Sequence, residues 1–147
     1  MCVFLYVGPI HIDVVTDCRT DVIFVLDSSS SVGADNWEKV KTFVRGFLGQ
    51  FTIHVDGVHV ALVTYNNKVQ DSFDLNAHNS TDSLQQAISS LAFSGGSTNT
   101  AAALWHVHSK ILTPEGGDRS SVPNAVVLLT DGLSNYPPAT VVSMQTA

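Results

Sequence analysis

Asp21-Val22-Ile23-Phe24-Val25-Leu26-Asp27-Ser28-Ser29-Ser30-Ser31-Val32-Gly33 is the stretch that decides the fold. Val22 to Leu26 is an unbroken apolar run with β-branched members. It predicts a strand covered on both faces, because a strand with one wet face alternates apolar and polar residues. An aspartate ends the run and a cluster of serines follows. From about Asp35 to Gly49, Trp37, Val40, Val44, Phe47, Leu48 and Phe51 recur at three- and four-residue steps, the spacing of one helix face.

Farther along, Val58 to Tyr65 predicts a second strand. Asn66-Asn67-Lys68 then leads to a short run from Val69 to Phe73. A connection that short makes only a hairpin, so the third strand runs antiparallel to the second. Leu84, Ala87, Ile88 and Leu91 mark a second helix, with Ser80 or Thr81 placed to cap its start. After Gly95-Gly96 a third helix is expected from Asn99 to Leu112. Ala125 to Leu129 reads as a second fully buried strand, and Ala139 to Ala147 as the opening of one more helix. Residues 1–20 show no periodicity and read as a leader or linker; residues 21–147 read as one domain.

Strands alternating with helices give an α/β fold. The expected sheet is open and doubly wound (Rossmann-like), mostly parallel with one antiparallel edge strand and helices on both faces. Right-handed crossovers allow the first strand to lie at the centre, the second and third on one side and the fourth on the other. The chain reverses direction between the first and fourth strands, which leaves a ligand crevice at their carboxyl ends. Asp27 and Asp131 stand at those two ends.

The bulk composition narrows the function classes. Of the 147 residues, 44% are hydrophobic and 14% charged, a globular composition. A net charge of −6 argues against nucleic acid, which selects for basic faces. No apolar run reaches the length of a membrane span, and the few scattered Lys and Arg residues form no polybasic patch, so no membrane insertion is expected. Met1 to Ile12 lacks the basic flank and small-residue cleavage site of a signal peptide. Cys2 and Cys18 have no metal-site spacing; they could pair with each other, stay free, or leave Cys18 for a partner outside the chain. Asn79-Ser80-Thr81 is a glycosylation sequon.

Asp27, Ser29 and Ser31 alternate along the loop and can point the same way. With Asp131, and with Thr98 ahead of the third helix, they supply oxygen ligands only. Thr100 takes the place of Thr98 if that loop shifts by two. Hard oxygen donors with few carboxylates suit Mg²⁺ or Mn²⁺, and Ca²⁺ less well. The hydroxyls add no negative charge, so such an ion still attracts an anion from outside. Taken separately, the serine run reads as a flexible loop and Asp131 as a turn residue before glycine; only their joint pattern favours the metal.

These residues resemble a von Willebrand factor type A domain. That family's metal ion-dependent adhesion site is written Asp-x-Ser-x-Ser, and Asp27, Ser29 and Ser31 fall on it. Gly95-Gly96-Ser97-Thr98-Asn99-Thr100 matches the stretch holding the family's threonine, and Thr130-Asp131-Gly132 matches its second aspartate. Val60 to Tyr65 is similar to the family's second strand. Ser30 stands where many members have glycine, and Ala101 where glycine often follows the threonine motif. Cys18, just ahead of the first strand, is similar to the matrix and collagen-associated branch. The family domain continues with further strand and helix units after Thr-Asp-Gly. The resemblance therefore implies a domain incomplete at its C-terminal end, with one edge of the fourth strand bare and the chain prone to aggregate alone.

The resemblance implies an extracellular, secreted adhesion module. Its partner is a protein offering an acidic side chain to the metal, collagen or another matrix protein among the candidates. A structural matrix module that leaves its metal site unused is the alternative. A Mg²⁺-dependent phosphoryl-transfer enzyme fits less well, because it needs a second acid where Ser29 stands and a lysine beside Asp27. A dinucleotide enzyme needs glycines where the serines are. No catalytic activity is expected. His11, His54, His59, His78, His106 and His108 lack ligand spacing, Trp37 and Trp105 read as core or half-buried anchors, and Arg119 as part of a solvated loop.

Overall fold

The computed structural model describes residues 19–132. Both cysteines, the leader up to residue 18 and the helix expected over 139–147 lie outside them. The elements run β1 (Asp21–Asp27), α1 (Ala34–Leu48), β2 (His59–Tyr65), β3 (Val69–Phe73), α2 (Thr81–Ser89), α3 (Thr100–His106), a π-helical turn (Val107–Ile111) and β4 (Asn124–Leu129). The sheet order is β3-β2-β1-β4, the expected arrangement that right-handed crossovers allow. β1 is parallel to both neighbours, and β3 is antiparallel to β2 at the edge.

The two faces of β1 explain its unbroken apolar run. Val22, Phe24 and Leu26 join Trp37, Val44 and Leu48 of α1 and Leu84 and Ile88 of α2 in one core. Ile23 and Val25 face the other way, packing with Ala103, Val107 and Ile111. Every residue of β1 is buried, so a period-2 pattern has no wet face to mark. Beside the first core, the ammonium of Lys41 donates to Ser89 O at 3.3 Å and Leu91 O at 3.2 Å, capping the end of α2 with positive charge. Trp37 Nε1 donates to the same Leu91 O at 3.3 Å.

Several expectations need correction. β4 is not fully buried: Val126 is exposed and its remaining apolar side chains are half-covered, because β4 is the outer strand of the described sheet. The third helix changes character at Val107, where Leu112 N–H reaches back to Val107 O at 2.9 Å, an i→i+5 bond. Apolar spacing reads alike through both kinds of turn, so the sequence pattern does not separate them. Trp105 is 61% exposed on α3, with its ring against His108. Arg119 is not solvated either, since it is drawn under the sheet by the buried Asp21 carboxylate.

A candidate metal centre at the carboxyl ends of β1 and β4

β1 ends beside Tyr65 of β2 and, one residue earlier, pairs Leu26 with Leu129 of β4. Thr130 and Asp131 therefore emerge next to Asp27. Asp27 is buried, and both of its oxygens are engaged. Oδ1 accepts from Ser29 N–H at 2.9 Å, and Oδ2 accepts from the Thr130 hydroxyl at 2.7 Å. These bonds hold the carboxylate in one orientation at the mouth of the crevice.

From there a chain of oxygens crosses the crevice. Ser29 Oγ lies 3.2 Å from Ser31 Oγ, and Ser31 Oγ donates to Asp131 Oδ1 at 3.0 Å. Four of the five sequence-derived residues thus meet at one place. Thr98 is buried in the facing loop, and Thr100 is turned away, its hydroxyl 3.2 Å from that of Tyr65.

The loop bearing Thr98 is laced to the serine run. Ser30 N–H donates to Gly96 O and Gly95 N–H to Ser28 O, both at 2.9 Å. Gly96 N–H donates to Ser30 Oγ at 2.7 Å, and Ser28 Oγ lies 2.6 Å from Ser94 Oγ. Asn66 supports the loop from β2, with Nδ2 donating to Gly95 O at 2.7 Å and its own carbonyl accepting from Asn99 N–H at 2.7 Å. Gly96 has φ +96°, and an added Cβ would sit 3.3 Å from Asn66 Nδ2, so only glycine makes this turn without strain.

Tyr65 lies behind the carboxylates. Burial pushes its phenol above the usual tyrosine value; the Thr100 hydrogen bond opposes this, and the negative charge of Asp27 adds to the rise, followed by that of Asp131. The phenol stays neutral and keeps its proton for hydrogen bonding. Sequence reasoning missed Tyr65, Asn66 and Thr130 as supports. Thr130 had a signal, since it directly precedes Asp131 on the strand that pairs with β1.

The donor set fits a small divalent ion. Oxygens about 2.0–2.1 Å from an octahedral centre lie about 2.9 Å from their neighbours, whereas Ca²⁺ distances of about 2.3–2.6 Å spread them to about 3.3–3.7 Å. The two oxygen separations across this crevice, 3.2 and 3.0 Å, fall between the two ranges, close enough for neighbouring ligands of one divalent ion. No three His, Cys, Asp or Glu side chains cluster for metal binding among the described residues, so an ion here depends on the hydroxyls. A groove of about 460 Å³ leads away from Asp27 and Asp131 past Val32, Val40, Phe43 and Leu128.

An open α/β sheet with helices on both faces, and with acidic and hydroxyl side chains gathered at its switch point, defines a fold of the doubly wound class. The chain belongs to the von Willebrand factor type A domain family, whose profile matches residues 21–146. It is 39% identical over 118 residues to human von Willebrand factor A domain-containing protein 2, covering 78% of this chain and 16% of that protein. To the mouse collagen alpha-1(XX) chain it is 36% identical over 114 residues, covering 78% of this chain and 9% of the collagen chain. The chain therefore spans a small part of the curated relatives it matches. Proximal thread matrix protein 1 from the mussel byssus superposes with a TM-score of 0.76 at 26% identity, over 88% of this chain and 35% of that one. A second structure of that protein, described as having a zinc-occupied MIDAS motif, gives 0.73 at 28% identity, over 81% of this chain and 30% of that one.

Proposed function

We propose that the chain is an extracellular matrix-interaction module. It holds one Mg²⁺ or Mn²⁺ ion through Asp27, Ser29, Ser31, Thr98 and Asp131 and binds a protein partner through that ion. The observation that carries this reading is the gathering of Ser29, Ser31 and Asp131 oxygens, linked at 3.2 and 3.0 Å, beside the buried Asp27 carboxylate. A small, hard ion with hydroxyl ligands retains a place for an outside oxygen, and an Asp or Glu carboxylate is the strongest such donor on a protein. Collagen chains and a byssal matrix protein among the relatives support a matrix setting. No helix of the described residues is long and apolar enough to cross a membrane.

Asn79 fits the same setting. It is exposed where the chain enters α2, with Ser80 Oγ capping the helix by accepting from Ser83 N–H at 3.3 Å. α2 ends toward the loop that bears Thr98, so its start lies away from the metal centre. A glycan on Asn79 leaves the adhesive face open.

Calorimetry with Mg²⁺ and Mn²⁺ on the wild type and Asp27→Ala tests the assignment. The expected result is one site per chain, lost in the variant. Equal affinity in the two proteins removes Asp27 from the site and the reading with it.

A further inference from the structure

We infer that Ser30, which is not one of the proposed ligands, positions the Thr98 loop by clamping Gly96. The inference rests on the proposed metal centre for its consequence, though not for the clamp itself. Ser30 and Gly96 bond reciprocally: the backbone N–H of Ser30 donates to Gly96 O at 2.9 Å, and the Ser30 hydroxyl accepts from Gly96 N–H at 2.7 Å. Two bonds between the same two residues fix both the distance and the angle between their loops. The loops' other ties, Gly95 N–H to Ser28 O and Ser28 Oγ to Ser94 Oγ, both sit at Ser28, two residues before the clamp.

The position of Ser30 in the run gives it this role. Ser29 and Ser31 point into the crevice, where their hydroxyls lie 3.2 Å apart. The residue between them turns the other way, toward the neighbouring loop. Gly96 lies two residues before Thr98, so what fixes Gly96 fixes the approach of Thr98 to the other ligands. Asn66 also packs against Gly96, its Nδ2 3.3 Å from where a Gly96 Cβ would stand. Glycine or alanine at position 30 keeps the backbone bond and loses the side-chain one.

Ser30 is exposed and outside both cores, so replacing it leaves the folded domain intact. A hydrogen bond of this kind is worth a few-fold in an equilibrium constant, and its loss is expected to weaken Mn²⁺ binding by about two- to tenfold. Three variants separate positioning from general stability: Ser30→Ala, Ser30→Gly and Ser30→Thr. In metal-free protein, hydrogen exchange at the Gly96 amide is expected to quicken in the alanine and glycine variants and to return toward wild type with threonine. Mn²⁺ affinity measured by calorimetry is expected to follow the same order, with the melting temperature nearly unchanged. Unchanged Gly96 exchange in Ser30→Ala means the clamp does not exist. Faster exchange with wild-type Mn²⁺ affinity means it positions nothing. Failure of the metal centre itself appears separately, as wild-type affinity in Asp27→Ala, and leaves the Gly96 exchange result to judge the clamp.

Discussion

Asp21 and Arg119, separated by 98 positions, form an ion pair under the sheet. Arg119 Nε donates to Asp21 Oδ1 at 2.9 Å, and its backbone N–H donates to Oδ2 at 3.1 Å. Its Nη2 also reaches Gly57 O at 2.9 Å. The pair joins the start of β1 to the segment leading into β4 and to the turn before β2. Because Asp21 is fully buried, removing its partner strands a charge. Arg119→Met is expected to lower unfolding stability by about 3–5 kcal/mol, a large share of the roughly 5–15 kcal/mol of a whole domain. Urea denaturation measures it; a loss below about 1 kcal/mol would mean that water reaches the carboxylate.

Thr130 supports Asp27 through its hydroxyl at 2.7 Å. Thr130→Val keeps the shape and removes the bond. Metal affinity is expected to fall by about three- to tenfold, and the unfolding midpoint to fall as well, because the buried Asp27 Oδ2 loses its partner. Titration of Mn²⁺ into both proteins decides the matter, and an unchanged affinity would show that Asp27 needs no support on that side.

Adhesion through an ion has a simple signature. Binding to a surface that presents carboxylate-bearing matrix protein is expected to vanish in chelator and to return with added Mg²⁺. Binding indifferent to chelator would place the contact on a metal-free face.

Hydrolytic chemistry is not expected. Both Asp27 oxygens are held by Ser29 N–H and Thr130, and Lys39, which lines the same groove, donates to Asn36 Oδ1 at 3.0 Å. A phosphatase screen with Mg²⁺ is expected to show no turnover above background. Turnover abolished by Asp27→Asn would reverse this conclusion.

His106 gives the domain a pH dependence of definite sign. Burial lowers its affinity for a proton, with Asp74 opposing and Lys110 adding to the effect. The unfolded chain binds that proton more readily, so the contribution is complete above the ordinary histidine value of about 6.5 and is lost as pH falls toward the lower folded value. The thermal midpoint is expected to drop as pH falls below about 6.5, and to drop less in His106→Gln. Identical slopes in the two proteins would assign the drop to other groups.

Much of this architecture was legible because β1 and its loop compress two kinds of information. The apolar run Val22 to Leu26 announces a strand buried on both faces, and the alternation of Asp27, Ser29 and Ser31 announces a shared direction. Hairpin length fixed the antiparallel edge. What the sequence hid depends on distance along the chain. Arg119 looks like a loop cation until Asp21 is placed beside it, and Lys41 sits on α1 like any surface lysine until the end of α2 arrives. Ser30 was equally silent, since its partner Gly96 is known only when the two loops meet. β4 shows the opposite failure: its apolar residues signalled full burial, whereas an outer position in the sheet leaves them half-covered.

The placement of β1 has a mechanical consequence. It lies between two parallel neighbours, and the Asp21–Arg119 pair locks its first residue. A pull on the chain ahead of Asp21, directed along the strand, cannot peel the ladder open one rung at a time. It must slide β1 against β2 and β4 together, loading both rows of hydrogen bonds at once while tearing out a buried carboxylate. Tension entering from that side meets the fold in shear, and any slip of β1 would carry Asp27 out of step with Thr130 and Asp131 at the far end of the strand.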